Sequence, residues 1–308
     1  MRSVVVLSPG LLTTVQDTGR WGYQRFGVAV AGAMDLPSHR LANLLVGNHS
    51  NAATLEVTVT GPTIRFDGAG VVAVAGARFD VWLDGIRVNT RQSVPVGADQ
   101  TLSFGRCRQG RRAYLAVAGG FETPVVLGSR STHIASGTGG LRGRALEAGD
   151  RLPVGRTGKD LSIVPSRRRP IFRLPRGGAT LRAIPGPDRD AFDARQLERF
   201  FTSRFVISPR SNRMGYRLEG PPLEISPSLA RISTAVPVGS VQIPGDGQPI
   251  LLMADHQTSG GYPRVATVIT ADVPLAAQLT PSDWVEFEAC TEADALTAHI
   301  AQERRLLP

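Results

Sequence analysis

Two stretches of the chain, residues 13–27 and 254–264, concentrate side chains able to hold and polarise a small polar molecule. The first reads Thr13-Thr14-Val15-Gln16-Asp17-Thr18-Gly19-Arg20-Trp21-Gly22-Tyr23, the second Asp255-His256-Gln257-Thr258-Ser259-Gly260-Gly261-Tyr262-Pro263-Arg264. Each sets hydroxyls, a carboxamide, a carboxylate, an arginine and an aromatic among glycines. Glycine accepts positive φ and lets backbone approach a ligand closely, while the polar side chains supply oriented donors and acceptors. A fold that brings the two stretches together would build one polar pocket, and the function is expected there. Other chemistries find little support. No His, Cys or carboxylate spacing forms a metal site, and no GxSxG elbow is present. Ser211 and Ser259 have no identifiable His/Asp partners, and residues 155–160 lack the spacing and the Ser/Thr of a phosphate loop. His39 falls on a predicted helix, His49 and His299 read as surface, and His133 and His256 read as structural.

The elements that must position these residues are mostly short strands. Residues 3–7, 54–60, 71–75, 79–83, 86–90, 101–104 and 113–118 are β-branched or apolar runs between turn residues. In the second half the same holds for 180–184, 205–207, 231–234, 241–243, 250–253, 267–270 and 284–288. Asp84-Gly85 is a two-residue hairpin signal, because both positions accept φ > 0. Three helices are predicted. Residues 36–46 put Leu36, Leu41, Leu44 and Leu45 on one face, residues 189–201 follow Asp188 as N-cap, and residues 292–307 follow Thr291 with Leu296, Ile300, Leu306 and Leu307 inward.

Composition bounds the class. The 308 residues, 42% hydrophobic, suffice for one large or two ordinary domains, and 34 glycines with 22 prolines point to many turns and a mainly β fold. The proline-rich stretch 156–178 is the expected boundary, giving units 1–160 and 161–308, with strands free to cross over. Two lone cysteines, Cys107 and Cys290, fit a reducing cytoplasm. No apolar run is long enough for a membrane helix and none resembles a signal peptide, so no membrane partner is expected. Of the net charge of +9, residues 156–176 carry most: Arg156, Lys159, Arg167, Arg168, Arg169, Arg173 and Arg176 against Asp160. Without interleaved aromatics this segment reads as a solvated linker or partner-facing surface, not a nucleic-acid site. Lys159 is the only lysine, which argues against Schiff-base or carbamylated-lysine chemistry. The two halves also echo one another weakly, Gly19-Arg20-Trp21-Gly22-Tyr23 against Asn212-Arg213-Met214-Gly215-Tyr216, which points to duplication of one barrel-like unit or to chance.

Several motifs taken together resemble the allophanate hydrolase subunit 2 family, also described as the biotin-dependent carboxyltransferase or KipA-like family, or as the C component of 5-oxoprolinase. They are Gly10-Leu11-Leu12-Thr13-Thr14-Val15-Gln16-Asp17-Thr18-Gly19-Arg20, Gly32-Ala33-Met34-Asp35, Arg112-Ala113-Tyr114-Leu115-Ala116-Val117-Ala118-Gly119-Gly120 and Leu127-Gly128-Ser129-Arg130-Ser131-Thr132. Further on come Ser211-Asn212-Arg213-Met214-Gly215-Tyr216-Arg217-Leu218 and Gln257-Thr258-Ser259-Gly260-Gly261-Tyr262-Pro263. The resemblance implies two cyclophilin-like β-barrel units and a companion chain, subunit 1 (KipI-like), that shares the cleft. It also implies one of three settings. These are an ATP-dependent 5-oxoprolinase with a third, lactam-utilisation-type subunit, a carboxyltransferase delivering CO2 from carboxyl-biotin to urea, and a non-enzymatic regulator of a KipI-like kinase inhibitor. No biotin-accepting Met-Lys motif exists in this chain, so any biotin is carried elsewhere.

Phosphorylating an amide oxygen, or moving a carboxyl group onto nitrogen, requires cations that hold an oxyanion and an acceptor that orients the amide. Arg20, Arg130 and Arg213 lie in the matching motifs and are the expected oxyanion or phosphate clamps, with internal ion pairing as the structural alternative. Asp17 and Asp255 are the expected bases or amide-orienting acceptors, the alternative being Asx-turn carboxylates. Gln16, Thr18, Gln257 and Thr258 are substrate-binding candidates. Gly260 and Gly261 are read as a backbone-amide nest, with an ordinary tight turn as the alternative. Tyr216 and Tyr262 complete the set, although tyrosines in such places more often pack. The expected function is a non-autonomous enzyme subunit that, with its companion, activates the small cyclic amide 5-oxoproline using ATP for ring opening to L-glutamate. The nucleotide is implied by the resemblance alone.

Overall fold

Val4 and Val6 are buried while Ser3, Val5 and Leu7 are not, and this period of two seats the first strand against a core on one face. The same logic recurs throughout the computed structural model, which describes residues 3–157, 171–226 and 232–307. The chain divides into two units, one from Met1–Trp21 and Ala31–Leu174, the other from Gly22–Val30 and Pro175–Pro308. The expected cut at 160/161 lies outside the described residues, as do Lys159 and Arg167 to Arg169 of the basic segment. Among the described residues no helix is long and apolar enough to cross a membrane.

The first unit is an antiparallel sheet of nine strands: β1 (Ser3–Ser8), β2 (Leu12–Gln16), β3 (Thr54–Thr58), β4 (Thr63–Phe66), β5 (Gly70–Leu83), β6 (Ile86–Val88), β7 (Ser93–Val96), β8 (Thr101–Val117) and β9 (Arg151–Pro153). The order is β2-β3-β8-β4-β1-β9, with β5 pairing β8, β6 and β7. It curls as a half-barrel. Val4, Val6, Leu55, Val57, Ile64, Phe66, Leu102 and Leu115 fill its concave side.

Two strands are longer than the sequence signals. Runs 71–75 and 79–83 join into β5, and 101–104 and 113–118 join into β8. Gly76 (φ 101°) does not break the strand. It sits 2.6 Å, measured from where a Cβ would stand, from the Arg112 carbonyl and begins a series of register shifts along the β5–β8 pair. Asp84 and Gly85 turn the β5–β6 hairpin at φ 48° and 79°, as their types predict.

The second unit is a closed barrel of β10 (Gly178–Pro185), β11 (Arg204–Ile207), β12 (Gly215–Glu219), β14 (Ser240–Gln242), β15 (Ile250–Leu252), β17 (Arg264–Val268) and β18 (Trp284–Ala289). The order is β10-β17-β14-β15-β12-β11-β18, closed by the parallel β18–β10 pair. A separate ribbon joins β13 (Thr234–Ala235) to β16 (Ser259–Gly260). The echo between halves has no shared element beneath it. Gly22 is an irregular turn at φ 95°, whereas Gly215 opens β12.

Helix α1 (Leu36–Leu45) starts where predicted, with the Asp35 carboxylate accepting from Ser38 N. Its inward face differs from the expected leucine stripe: Leu44 is exposed, while His39 and Asn43 are buried. Helix α2 (Ala194–Thr202) starts later than predicted, capped by Asp193, because Asp188 instead accepts from Arg264 N. After the short α3 (Val273–Ala276), the C-terminal α4 (Glu292–Arg304) carries a full capping box, Thr291 with Asp294. Its expected apolar face is corrected: Leu296, Ile300 and Leu307 are exposed, and Gln302 and Leu306 are buried. The cap acts on a helix with little buried area, so Thr291→Ala should cost about 1 kcal/mol locally. Faster amide exchange in the first turn of α4, with the barrel amides unchanged, is the expected result.

Candidate functional site

The first polar stretch is half strand. Thr13, Thr14, Val15 and Gln16 lie in β2, all buried, paired to β3 from Leu12↔Thr58 to Gln16↔Thr54. Asp17 follows at the strand end and gathers the loop at 129–131. Its Oδ1 accepts from Ser129 Oγ (2.6 Å), Ser131 Oγ (2.5 Å) and Gly19 N (2.8 Å), and its Oδ2 accepts from Arg130 N (2.6 Å). The Asp17 amide in turn donates to Ser131 Oγ at 2.9 Å. One carboxylate oxygen is thus saturated by loop donors, and the carboxylate organises two segments more than 110 residues apart.

Arg20, 1% exposed, donates through Nη2 to the Ser131 carbonyl. Gly139 permits this: a Cβ there would stand 2.1 Å from the Ser131 oxygen and 2.6 Å from Arg20 Nη2. Arg130 donates through Nη1 to the Thr123 carbonyl. Gln16 Nε2 donates to Thr14 Oγ1 (3.0 Å) and the Thr132 carbonyl (3.1 Å), leaving its buried Oε1 without a hydrogen-bond partner among the described residues. Thr18 contributes its carbonyl, which accepts from Trp21 Nε1 at 2.9 Å.

Behind this centre lies a polar layer that sequence reasoning does not find. Glu56 and Tyr114 are register partners on β3 and β8, facing α1. Tyr114 OH donates to Glu56 Oε2 (2.8 Å), which also accepts from Met34 N (2.9 Å), and Arg112 Nε lies 3.6 Å from Glu56 Oε1. Burial holds the Tyr114 hydroxyl well above its ordinary pKa, so it stays a neutral donor. His39 Nδ1 meets Thr54 Oγ1 at 2.9 Å, and burial, outweighing attraction to Asp17 and Glu56, pushes its pKa down to about 4. The available signal is a lone Glu and a lone Tyr inside apolar strand runs.

His39 therefore gives stability a pH dependence of known sign. The folded state disfavours the imidazolium, so between pH 6.5 and about 4 the unfolded chain binds more protons. Stability present above pH 6.5 should fall as pH drops through that window. Urea unfolding of the wild type and His39→Gln at pH 7.5, 6 and 5 checks this, the variant losing part of the slope.

In the second unit, Arg213 and Asp255 face each other rather than solvent. Nε and Nη2 of the arginine donate to Oδ2 and Oδ1, each at 2.9 Å, and both side chains are 6% exposed. Tyr216 is 3% exposed and packs in the barrel, the commoner role for such a residue. Gln257 Nε2 donates to Gln242 Oε1 (3.3 Å), and Gln242 Nε2 donates to the Tyr262 carbonyl (3.3 Å). The Thr258 carbonyl accepts from Val236 N at 3.1 Å, and Tyr262 is 54% exposed. The nest reading of Gly260 and Gly261 is corrected: neither has positive φ, and Ser259–Gly260 is a strand paired with Thr234–Ala235. A Cβ at Gly260 would stand 2.7 Å from Gln242 Nε2, the movable end of a flexible side chain, so that carboxamide would have to shift to admit it. His256 stays neutral, its pKa lowered chiefly by burial, with Nδ1 2.6 Å from the Gln257 carbonyl. Sequence reasoning also misses Gln242 and the buried Ser240, whose Oγ has no hydrogen-bond partner.

Each unit thus presents one glycine-bearing polar centre with its charged groups largely held by the chain itself. Among the described residues no cluster of three His, Cys, Asp or Glu is arranged for a metal ion. What remains outward is carboxamide and aromatic: Gln257 and Tyr262 are exposed on the second unit.

Comparison with known proteins agrees from end to end. The chain is 42% identical to the 5-oxoprolinase C subunit of Escherichia coli over 97% of its own length and 95% of that protein's. It is 33% identical to urea amidolyase of Saccharomyces cerevisiae over 92% of this chain, but spans only 16% of that protein. The crystal structure of the K. lactis urea amidolyase matches it with a TM-score of 0.89 at 33% identity, covering 99% of this chain and 20% of the other. The carboxyltransferase domain, subdomains A and B, matches residues 26–289, and the chain belongs to that family.

Proposed function

We propose that this chain is the C-type subunit of a multi-subunit 5-oxoprolinase, which opens the lactam ring of 5-oxoproline to L-glutamate with ATP. The observation that carries the reading is the near full-length match to the E. coli 5-oxoprolinase protein, against a sixth or less of the urea amidolyase. A subunit 1 (KipI-like) companion and a third, lactam-utilisation-type chain make up the rest of the enzyme, and the reaction takes place in the cytoplasm.

Within that reading the chain's own residues bind and orient. Gln257 offers a carboxamide edge, complementary to the N–H and C=O of a lactam, and its Nε2 is held by Gln242. Thr258, Gly260, Gly261 and Tyr262 frame that edge. Asp17 fixes the 129–131 loop, Arg20 and Arg130 donate to backbone carbonyls and Arg213 neutralises Asp255, so the centres are preorganised. Arg20 and Arg213 hold groups of their own chain, a poor fit to a triphosphate, and ATP contacts fall to other residues or to the companion. Carboxyl transfer to urea is the second reading, favoured by the carboxyltransferase-domain match and the urea amidolyase match, and it requires biotin on another chain.

The test is reconstitution of the chain with its companion and third subunit, followed by glutamate release from 5-oxoproline with and without ATP. ATP-dependent glutamate supports the reading. No glutamate, with carboxylation of urea when a carboxyl-biotin carrier is supplied, overturns it.

A further inference from the structure

The first unit carries a second concentration of positive charge, which the end of the basic segment at 156–176 joins through Arg173. Between residues 78 and 112 stand Arg78, Arg87, Arg91, Arg106, Arg108, Arg111 and Arg112 against Asp80, Asp84 and Asp99. The fold gathers part of this run on one face of the long β5–β6–β8 arm. Arg78, Asp80 and Trp82 alternate along β5 on the side opposite the buried Phe79 and Val81. Arg87 is the register partner of Trp82 and pairs with Asp80 (2.5 Å), Arg108 reaches the other Asp80 oxygen (2.6 Å), and the charge of Arg106, two residues before Arg108 on β8, also bears on that carboxylate.

Asp80 is the only acid in this group, and it is nearly covered, its side chain 7% exposed, while those of Arg87 and Arg108 are 64% and 51% exposed. Gln109, the register partner of Arg78, donates to the Leu174 carbonyl (2.8 Å), which brings exposed Arg173 to the same end. Arg78 and Arg173 have no side-chain partner among the described residues. Trp82 is 36% exposed and Ile86, at the hairpin tip, 73%. β6 pairs only with β5, so its outer edge is open among the described residues.

We infer that this arginine face, Arg78, Arg87, Arg106, Arg108 and Arg173 around Trp82, docks an acidic surface of the companion protein. The inference rests on the reading of the chain as one subunit of a complex. Charge complementarity names the occupant's chemistry: the face carries a clear positive excess, and its one carboxylate is already shared between two arginines. The mixture is that of a protein interface, where arginine and tryptophan anchor and an open strand edge adds backbone groups. A nucleic-acid track would string cations along a groove with several stacking rings, and this face has one indole.

The test uses the full chain and its co-expressed companion, with binding measured by calorimetry from low to moderate salt. The Arg78→Glu/Arg106→Glu variant should bind at least about tenfold more weakly at low salt, with the wild-type affinity itself falling as salt rises. The Arg78→Lys/Arg106→Lys variant should keep most of the affinity and show that the charge acts. If the Glu variant fails to fold by circular dichroism, Arg106→Gln and the salt series of the wild type carry the test. Unchanged affinity in the folded variants overturns the inference, as does tight binding of a 20-nucleotide single strand that the Glu variant loses. Glutamate release is assayed separately, so an active complex with an indifferent arginine face rejects the docking site alone, and a wild-type pair that neither binds nor turns over rejects the subunit reading.

Discussion

Replacing Asp255 by alanine should destabilise the second unit by about 3–5 kcal/mol, and replacing Arg213 by alanine by a similar amount. The two side chains are 6% exposed and share two 2.9 Å hydrogen bonds, so removing either leaves the other's charge buried without its counterion. The loss is larger than the pair's own worth, because desolvation has already been imposed on both groups. The double replacement Arg213→Met/Asp255→Leu should therefore cost far less than the sum of the singles, and near neutrality is the expected limit. Urea denaturation of the full chain, followed by circular dichroism, measures all three. Single variants that cost under about 1 kcal/mol would mean a solvated pair of ordinary surface strength. The pair also has a positional effect. Asp255 N donates to the Arg213 carbonyl, so the lead-in to β12 and the segment bearing Gln257 are fastened together at side chain and backbone. Loss of the pair should loosen Gln257 before it unfolds the barrel.

Local chemistry is legible in the sequence, and long-range pairing is not. The Asp84-Gly85 hairpin and the Thr291 cap depend on neighbours within three residues, and each stands as its residue types predict. β2 does not announce itself as a strand because Thr13, Thr14 and Gln16 are polar, yet β3 pairs their backbone and the Thr132 carbonyl accepts from Gln16 Nε2. Polar residues become strand when their backbone finds a ladder, and the ladder's partners on β3 lie more than 30 residues away. Breaks expected near Gly76 and in the 105–112 run are irregularities within continuous strands, since pairing between β5 and β8 outweighs the local weakness of glycine. The Leu296/Ile300 stripe misleads for a different reason. Periodicity gives a face, but α4 turns Gln302 inward, where Nε2 donates to the Ala271 carbonyl at 3.0 Å. At the candidate site the residue types are legible and their duties are not. The chain places Asp17 opposite Ser129 and Ser131, and Gln242 under Gln257, over separations no local pattern encodes.

Asp17→Ala should cost the first unit about 3–4 kcal/mol, because it removes one carboxylate from several donors at once. The hydroxyls of Ser129 and Ser131 and the amides of Gly19 and Arg130 all lose their acceptor, at a site where Asp17 is 6% exposed and water cannot replace every bond. Asp17→Asn separates charge from shape. Its oxygen can still accept from the serines, but its amide nitrogen then meets the Arg130 N–H, donor against donor, so a loss of about 1–2 kcal/mol is expected. Ser131→Ala should cost about 1 kcal/mol alone and less on the Asp17→Ala background, since its bond to the carboxylate is already gone and only the one from the residue 17 amide remains to be lost. The same loop carries the Ser131 carbonyl that Arg20 holds, so the Asp17→Ala variant should also loosen that contact and speed amide exchange across residues 129–140. Additive losses in the Asp17/Ser131 cycle, with exchange at 129–140 unchanged, would show that the carboxylate sits beside the loop without organising it.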